Sequence, residues 1–154
     1  MNIYDIFKKL NISYDEIEHE AVYTVEEANR IESMIDGIGC KNLFLTDKKG
    51  HYYLYVLKDD KRADLKELAM YLNVLKITFG NEEDLKNKLD LTKGSVTPLG
   101  IINDVNKEVV IILDKDLVDN KLLCHPNTNT KTVSIEYKDL IRLIEHNDTK
   151  YIIY

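Results

Sequence analysis

The stretch Asn42-Leu43-Phe44-Leu45-Thr46-Asp47-Lys48-Lys49-Gly50-His51-Tyr52-Tyr53-Leu54-Tyr55-Val56-Leu57 decides the fold class. Two apolar runs, the second rich in Tyr and Val, flank a polar turn in which Gly50 supplies positive φ. That pattern reads as an antiparallel β-hairpin. Upstream, Ile3, Phe7 and Leu10 stand at helical spacing and predict a short amphipathic helix over 2–10. Residues 14–19 alternate as a weak strand. Thr24-Val25-Glu26-Glu27 is a capping-box pattern that opens a helix to about Ser33, with the Glu27 side chain free to reach back. Downstream, Asp64 opens a helix with Leu65, Leu68, Ala69 and Leu72 on one face. A strand is expected over 76–79, and Asn81 caps a helix containing Leu85 and Leu89. The β-branched run 109–114 reads as a buried strand. Residues 122–124 and 132–135 predict two more, and 137–145 the last helix.

Helices and strands therefore interleave, yet one connection at least is antiparallel. The fold class expected is α/β: a mixed, partly antiparallel sheet or open barrel flanked by helices. No Gly-rich turn joins a strand to a helix, which excludes the nucleotide-binding α/β folds. With no internal repeat or linker-like stretch, residues 1–154 read as a single domain.

The bulk composition fits a soluble domain with a sizeable core, at 44% hydrophobic and 31% charged residues. Without an export signal or a membrane-length apolar run, the expected location is the cytoplasm. Cys40 and Cys124 are lone thiols, and the histidines at 19, 51, 125 and 146 lack ligand spacing. Neither a metal nor a cofactor is expected. The net charge of −6 argues against a nucleic-acid partner, but it is unevenly spread. Residues 1–40 carry three bases against nine acids, whereas 41–66 carry seven bases against four acids. The second stretch could touch a few phosphates.

Three places are poorly explained by packing. Lys41 follows a glycine turn at the start of a strand, where a cation could orient a phosphate or a polarised carbonyl. Gly94-Ser95-Val96-Thr97-Pro98-Leu99-Gly100 could let a ligand approach the backbone and meet free amides. His125-Pro126-Asn127 leaves a strand end, a usual place for binding groups on a rigid scaffold. A Cys124–His125 nucleophilic pair is disfavoured, because neighbours on a strand point to opposite faces.

In order along the chain, these places resemble the bacterial prolyl-tRNA editing family, the YbaK-type deacylases and the insertion domain of bacterial prolyl-tRNA synthetase. The resemblance rests on Thr24-Val25-Glu26-Glu27-Ala28, Lys41-Asn42-Leu43-Phe44-Leu45, Leu91-Thr92-Lys93 running into the Gly94 loop, and Cys124-His125-Pro126-Asn127-Thr128-Asn129-Thr130. It implies a mixed α/β fold and hydrolysis of the ester joining a wrong amino acid to a tRNA 3′ end. It puts the catalytic positions at Lys41, Gly94 and His125. Substrate-binding positions fall at Thr24, Asn42, Ser95, Val96, Thr97, Pro98 and Asn127.

The 125–130 stretch looks like the alanine-specific, free-standing type. The expected activity is therefore removal of alanine from tRNA(Pro), with proline excluded by size. The alternatives are a cysteinyl-tRNA(Pro) deacylase or a non-catalytic aminoacyl-tRNA binding module. Expected partners are mischarged tRNA(Pro) and prolyl-tRNA synthetase, with no membrane and no DNA, the protein acting as a monomer.

Overall fold

A computed structural model describes residues 2–154. Its elements run α1 (Ile3–Lys9), β1 (Asp15–Glu18), α2 (Val25–Glu32), β2 (Cys40–Thr46), β3 (Tyr52–Lys58), α3 (Leu65–Leu72) and β4 (Thr78–Phe79). They continue as α4 (Glu82–Leu89), β5 (Val109–Leu113), β6 (Lys121–Cys124), β7 (Lys131–Glu136), α5 (Tyr137–His146) and β8 (Tyr151–Ile153). The strands make a five-stranded sheet, β4-β2-β3-β5-β8, and a three-stranded one, β1-β7-β6. The larger sheet is mixed: β2 pairs antiparallel with β3 and β4, while β5 lies parallel to β3 and β8. The smaller is wholly antiparallel.

Of the two architectures expected, the flanked mixed sheet is the one formed. No closed barrel forms among the described residues; instead two sheets meet at one bridge. There the Ile38 amide donates to the Lys121 carbonyl at 2.8 Å, and the Leu123 amide to the Ile38 carbonyl at 3.0 Å.

Alternation explains how the large sheet is covered. Leu54 and Val56 of β3 join Val109, Ile111 and Leu113 of β5 in the main core, against α1, α4, α5 and the small sheet. Tyr53, Tyr55 and Leu57 face the other way with Ile112, under Leu68 and Ala69 of α3. Burial on both faces is why these strands read as near-continuous apolar runs. On β2 the same period puts Cys40 and Phe44 towards the main core, and Leu43 and Leu45 towards α3.

Helix starts follow their capping residues. Asn2, Thr24, Asp64 and Asn81 each accept from the amide three residues on. At Thr24 the reciprocal half of the box differs from expectation, because the Glu27 carboxylate takes the Thr24 hydroxyl at 2.9 Å rather than a backbone amide. At the far end of β5, Asp114 is 1% exposed and accepts from the Tyr55 hydroxyl, the Lys61 ammonium and the Asp116 amide. It ties the turn after β3 to the turn after β5.

Three local expectations are corrected. Strand 76–79 shrinks to Thr78–Phe79. The segment read as an open loop is largely wound into 3₁₀ turns, Lys93–Ser95 and Pro98–Asn103, the second started by the fixed φ of Pro98. Strand β8 was not foreseen: three residues after a helix show no periodicity. Its place is earned by docking along β5, with the Tyr154 amide donating to the Leu113 carbonyl at 2.8 Å.

Candidate active site

Where the two sheets diverge beyond the Ile38 bridge, they leave a cavity of about 230 Å³. Its walls are Cys40 and Asn42 of β2, Leu123, Cys124 and His125 at the end of β6, and Thr132 of β7. Ala28, Ile31 and Glu32 of α2 cover it, with Val22, and Lys93, Gly94 and Val96 close the remaining side. Small-molecule sites usually span about 300–1,000 Å³, so this one suits a group of few atoms.

Of the residues singled out from the sequence, Asn42, Gly94, Val96 and His125 line the cavity. The Asn42 side chain donates to the Val96 carbonyl at 3.2 Å, pinning the loop to β2, and its amide oxygen is buried without a partner. Ser95, Thr97 and Pro98 are buried behind the loop and shape it. Ser95 turns back onto Thr92, and the Thr97 hydroxyl accepts from the Leu99 amide. The amides of Ser95, Leu99 and Gly100 are thereby committed to Thr92 and Thr97. Asn127, at φ 62°, lies outside the cavity; its side chain donates to the Leu99 carbonyl and couples the His-Pro-Asn turn to the Pro98 segment. Thr24 is spent on capping α2. Lys41 is half-buried and not among the lining residues, because strand alternation puts it on the Leu43 face of β2. Lys93 is the cation in the cavity wall.

Cys124 and His125 were expected on opposite faces. Both line the cavity, because β6 ends at Cys124 and alternation stops there. The thiol is still no nucleophile. Burial pushes Cys124 up to about 12, and burial, with Cys124 and nearby carboxylates, carries Cys40 well above the ordinary thiol range.

The electrostatics single out two groups. His125 Nδ1 lies 3.1 Å from the Lys131 carbonyl; only a protonated nitrogen can donate there, so in the neutral ring Nε2 keeps a lone pair. Burial, opposed by that hydrogen bond, lowers the His125 pKa and favours the neutral form. Glu32, the last residue of α2, carries no local signal in the sequence. It meets Asp59, from just beyond β3, over Gly39, where a Cβ would collide with both carboxyl groups. Burial, then the hydrogen bond and like charge of Asp59, raise Glu32 to about 7. A group titrating near neutrality in a cavity wall is suited to proton or charge exchange with a ligand. Among the described residues, no group of three or more His, Cys, Asp or Glu is placed to hold a metal ion. No described helix is long and apolar enough to cross a membrane.

A small cavity with a neutral imidazole, a titrating carboxyl and no activated nucleophile suits hydrolysis of an already reactive acyl group. In agreement, residues 19–143 match the family model of the aminoacyl-tRNA editing domain, and the chain belongs to that family, a class of aminoacyl-tRNA deacylases. Among individual relatives, it is 41% identical to the prolyl-tRNA editing protein ProX of Acetoanaerobium sticklandii, over 93% of this chain and 88% of that one. It is 37% identical to the prolyl-tRNA synthetase associated domain-containing protein 1 of Danio rerio, over 92% and 78% respectively. The fold is shared with a crystal structure of a candidate trans-editing enzyme for prolyl tRNA synthetase, at TM-score 0.74, 18% identity, and 98% and 92% coverage. Hypothetical protein APE2540 also shares it, at TM-score 0.75, 15% identity, and 98% and 97% coverage.

Proposed function

We propose that this protein acts in the cytoplasm as one editing domain that hydrolyses alanine from mischarged tRNA(Pro) and spares proline. The observation that carries the reading is the cavity: about 230 Å³, roofed by Ala28 and Ile31, and carrying polar groups suited to an ester. A synthetase site built for proline rejects smaller amino acids weakly, because missing methylenes forfeit only about 1–3 kcal/mol. A second, smaller pocket corrects this by steric exclusion. The names of the relatives support tRNA(Pro) as the carrier and an association with prolyl-tRNA synthetase.

In this scheme the Gly94 amide, not among those committed within the loop, polarises the acyl carbonyl. Water ordered by His125 Nε2 attacks that carbon. The ester C–O bond breaks, and the proton given up by the attacking water is relayed by the vicinal ribose hydroxyl to the departing ribose oxygen. Asn42 offers its free amide oxygen to the substrate. Lys93, in the wall, and Lys41, on its flexible four-carbon stem at the neighbouring strand end, hold phosphates of the 3′ tail. No protein nucleophile is required, since the ester is already activated and positioning supplies much of the rate.

Ionised Glu32 pairs with the α-ammonium of the amino acid. Because its pKa is raised to about 7, it is protonated below that pH and loses this role there. The expected result is a kcat/KM that climbs through neutrality and a Glu32→Gln variant that stays low and flat across the same range. The His125 limb falls lower, because burial depresses its pKa. A wild-type-like pH profile for Glu32→Gln would remove Glu32 from the scheme. The substrate is tested by comparing release of alanine, cysteine and serine from tRNA(Pro) charged with each. Alanine should leave fastest; faster cysteine release would replace alanine as the substrate.

A further inference from the structure

A second cavity, about 550 Å³, adjoins the first and shares Asn42, Lys93 and Val96 with it. It opens where β4 has ended. The two paired positions of β4 reach only Leu45 and Thr46 of β2, and the Gly80 amide then closes the ladder on the Phe44 carbonyl at 2.9 Å. Backbone groups two residues apart point the same way, so the Asn42 amide and carbonyl face this unpaired edge. The lining is mostly apolar, from Leu43, Phe44 and Leu85, with Phe79 at its mouth 60% exposed. Its charged groups are separated: Glu82 stands on the α4 side, and Lys93 at the seam with the first cavity.

We infer that this groove is the seat of the 3′-terminal adenosine of the tRNA, its base stacked on Phe79, an assignment that rests on the editing reading above. Three features agree in choosing a nucleoside over another apolar occupant. The groove is continuous with the cavity assigned to the amino acid, and the ribose is what joins an acyl group to a base. Lys93 lies at that junction, where the phosphate of the same nucleotide must pass, whereas Glu82 excludes phosphate from the far end and accepts from amino or hydroxyl hydrogens. An exposed aromatic ring beside a free backbone donor and acceptor offers both stacking and edge contacts to a base.

The chain contains no tryptophan, so a Phe79→Trp variant carries a single reporter at the groove mouth. Adenosine 5′-monophosphate should quench its fluorescence saturably, and inorganic phosphate alone should not. In deacylation of mischarged tRNA(Pro), Phe79→Ala should raise KM about tenfold with kcat little changed, as expected for one lost base stack. Phe79→Trp, with a larger stacking face, should bring KM back towards the wild-type value. Active protein whose Phe79→Ala variant keeps the wild-type KM, with no quenching of Phe79→Trp, overturns the adenosine seat and leaves the editing reading standing. Saturable quenching by the nucleotide in a protein that deacylates no mischarged tRNA(Pro) would leave a nucleotide-binding groove but overturn the editing reading and, with it, the assignment of the groove to the tRNA terminus. Concentration-dependent pairing of the chain through the free β2 edge, abolished by Phe79→Ala, would assign the groove to a second copy and overturn the proposal.

Discussion

Replacing Gly94 with leucine is expected to lower kcat/KM for deacylation by about a hundredfold or more, while the protein stays folded. The backbone of Gly94 forms part of the wall of a cavity of only about 230 Å³. A leucine side chain there competes with the acyl group for space and displaces the carbonyl from the amide that polarises it. Misplacement of about 1 Å at a reacting centre costs about 10²-fold. The fold should tolerate the change. Gly94 is exposed, and the one atom near a hypothetical Cβ is Nδ2 of Asn129, at 3.3 Å. Gly94→Ala should therefore be mild, since that amide need move only slightly. Steady-state kinetics and thermal unfolding on the three proteins check both halves: a small fall in rate from Gly to Ala, a steep one from Ala to Leu, and little change in Tm throughout. Undiminished turnover by Gly94→Leu would show that the acyl group binds elsewhere.

The largest stability effect is expected at Asp114. Its carboxylate is buried and receives the Lys61 ammonium at 2.8 Å, the Asp116 amide and the Tyr55 hydroxyl. The hydrogen bonds to Asp114 and Asp116, in that order, lift the Lys61 pKa above the ordinary lysine range. Asp114→Ala leaves the phenol without its acceptor and the ammonium with Asp116 alone. Breaking a buried pair costs about 3–5 kcal/mol. Because the Lys61 side chain is 35% exposed, the lower end of that range applies. About 3 kcal/mol corresponds to a fall in Tm of about 10 °C for a chain of this size. Asp114→Asn, which keeps the shape without the charge, should fall between. Thermal and urea unfolding would decide it; a loss under about 1 kcal/mol would mean that the tie between the two turns is dispensable.

Much of the large sheet was legible because its strands carry their own evidence. Residues 52–57 and 109–113 are apolar on both faces since each face meets a separate core. The Thr24, Asp64 and Asn81 caps announce their helices. The small sheet was legible strand by strand but not as a sheet. Its defining pairing, Asp15 opposite Ser134, spans most of the chain, and no local pattern encodes it.

The site divides in the same way. Gly94 and His125 stood out as residues that packing did not explain. Glu32 could not stand out, because its character comes from Asp59 and Gly39, brought to it by the turn before β2 and the end of β3. Lys41 attracted attention through its place in a motif, but the period of β2 gives the cavity face to Cys40 and Asn42. That alternation could have been read from Phe44, whose ring belongs to the main core.

The central claim is that this cavity admits a small amino acid on tRNA(Pro) and refuses the cognate one. The direct measurement is the rate of ester hydrolysis by the purified protein on alanyl-tRNA(Pro) and on prolyl-tRNA(Pro), side by side. The account predicts rapid loss of alanine and a prolyl ester that decays no faster than in buffer. Equal hydrolysis of the two, or hydrolysis of neither, would contradict it.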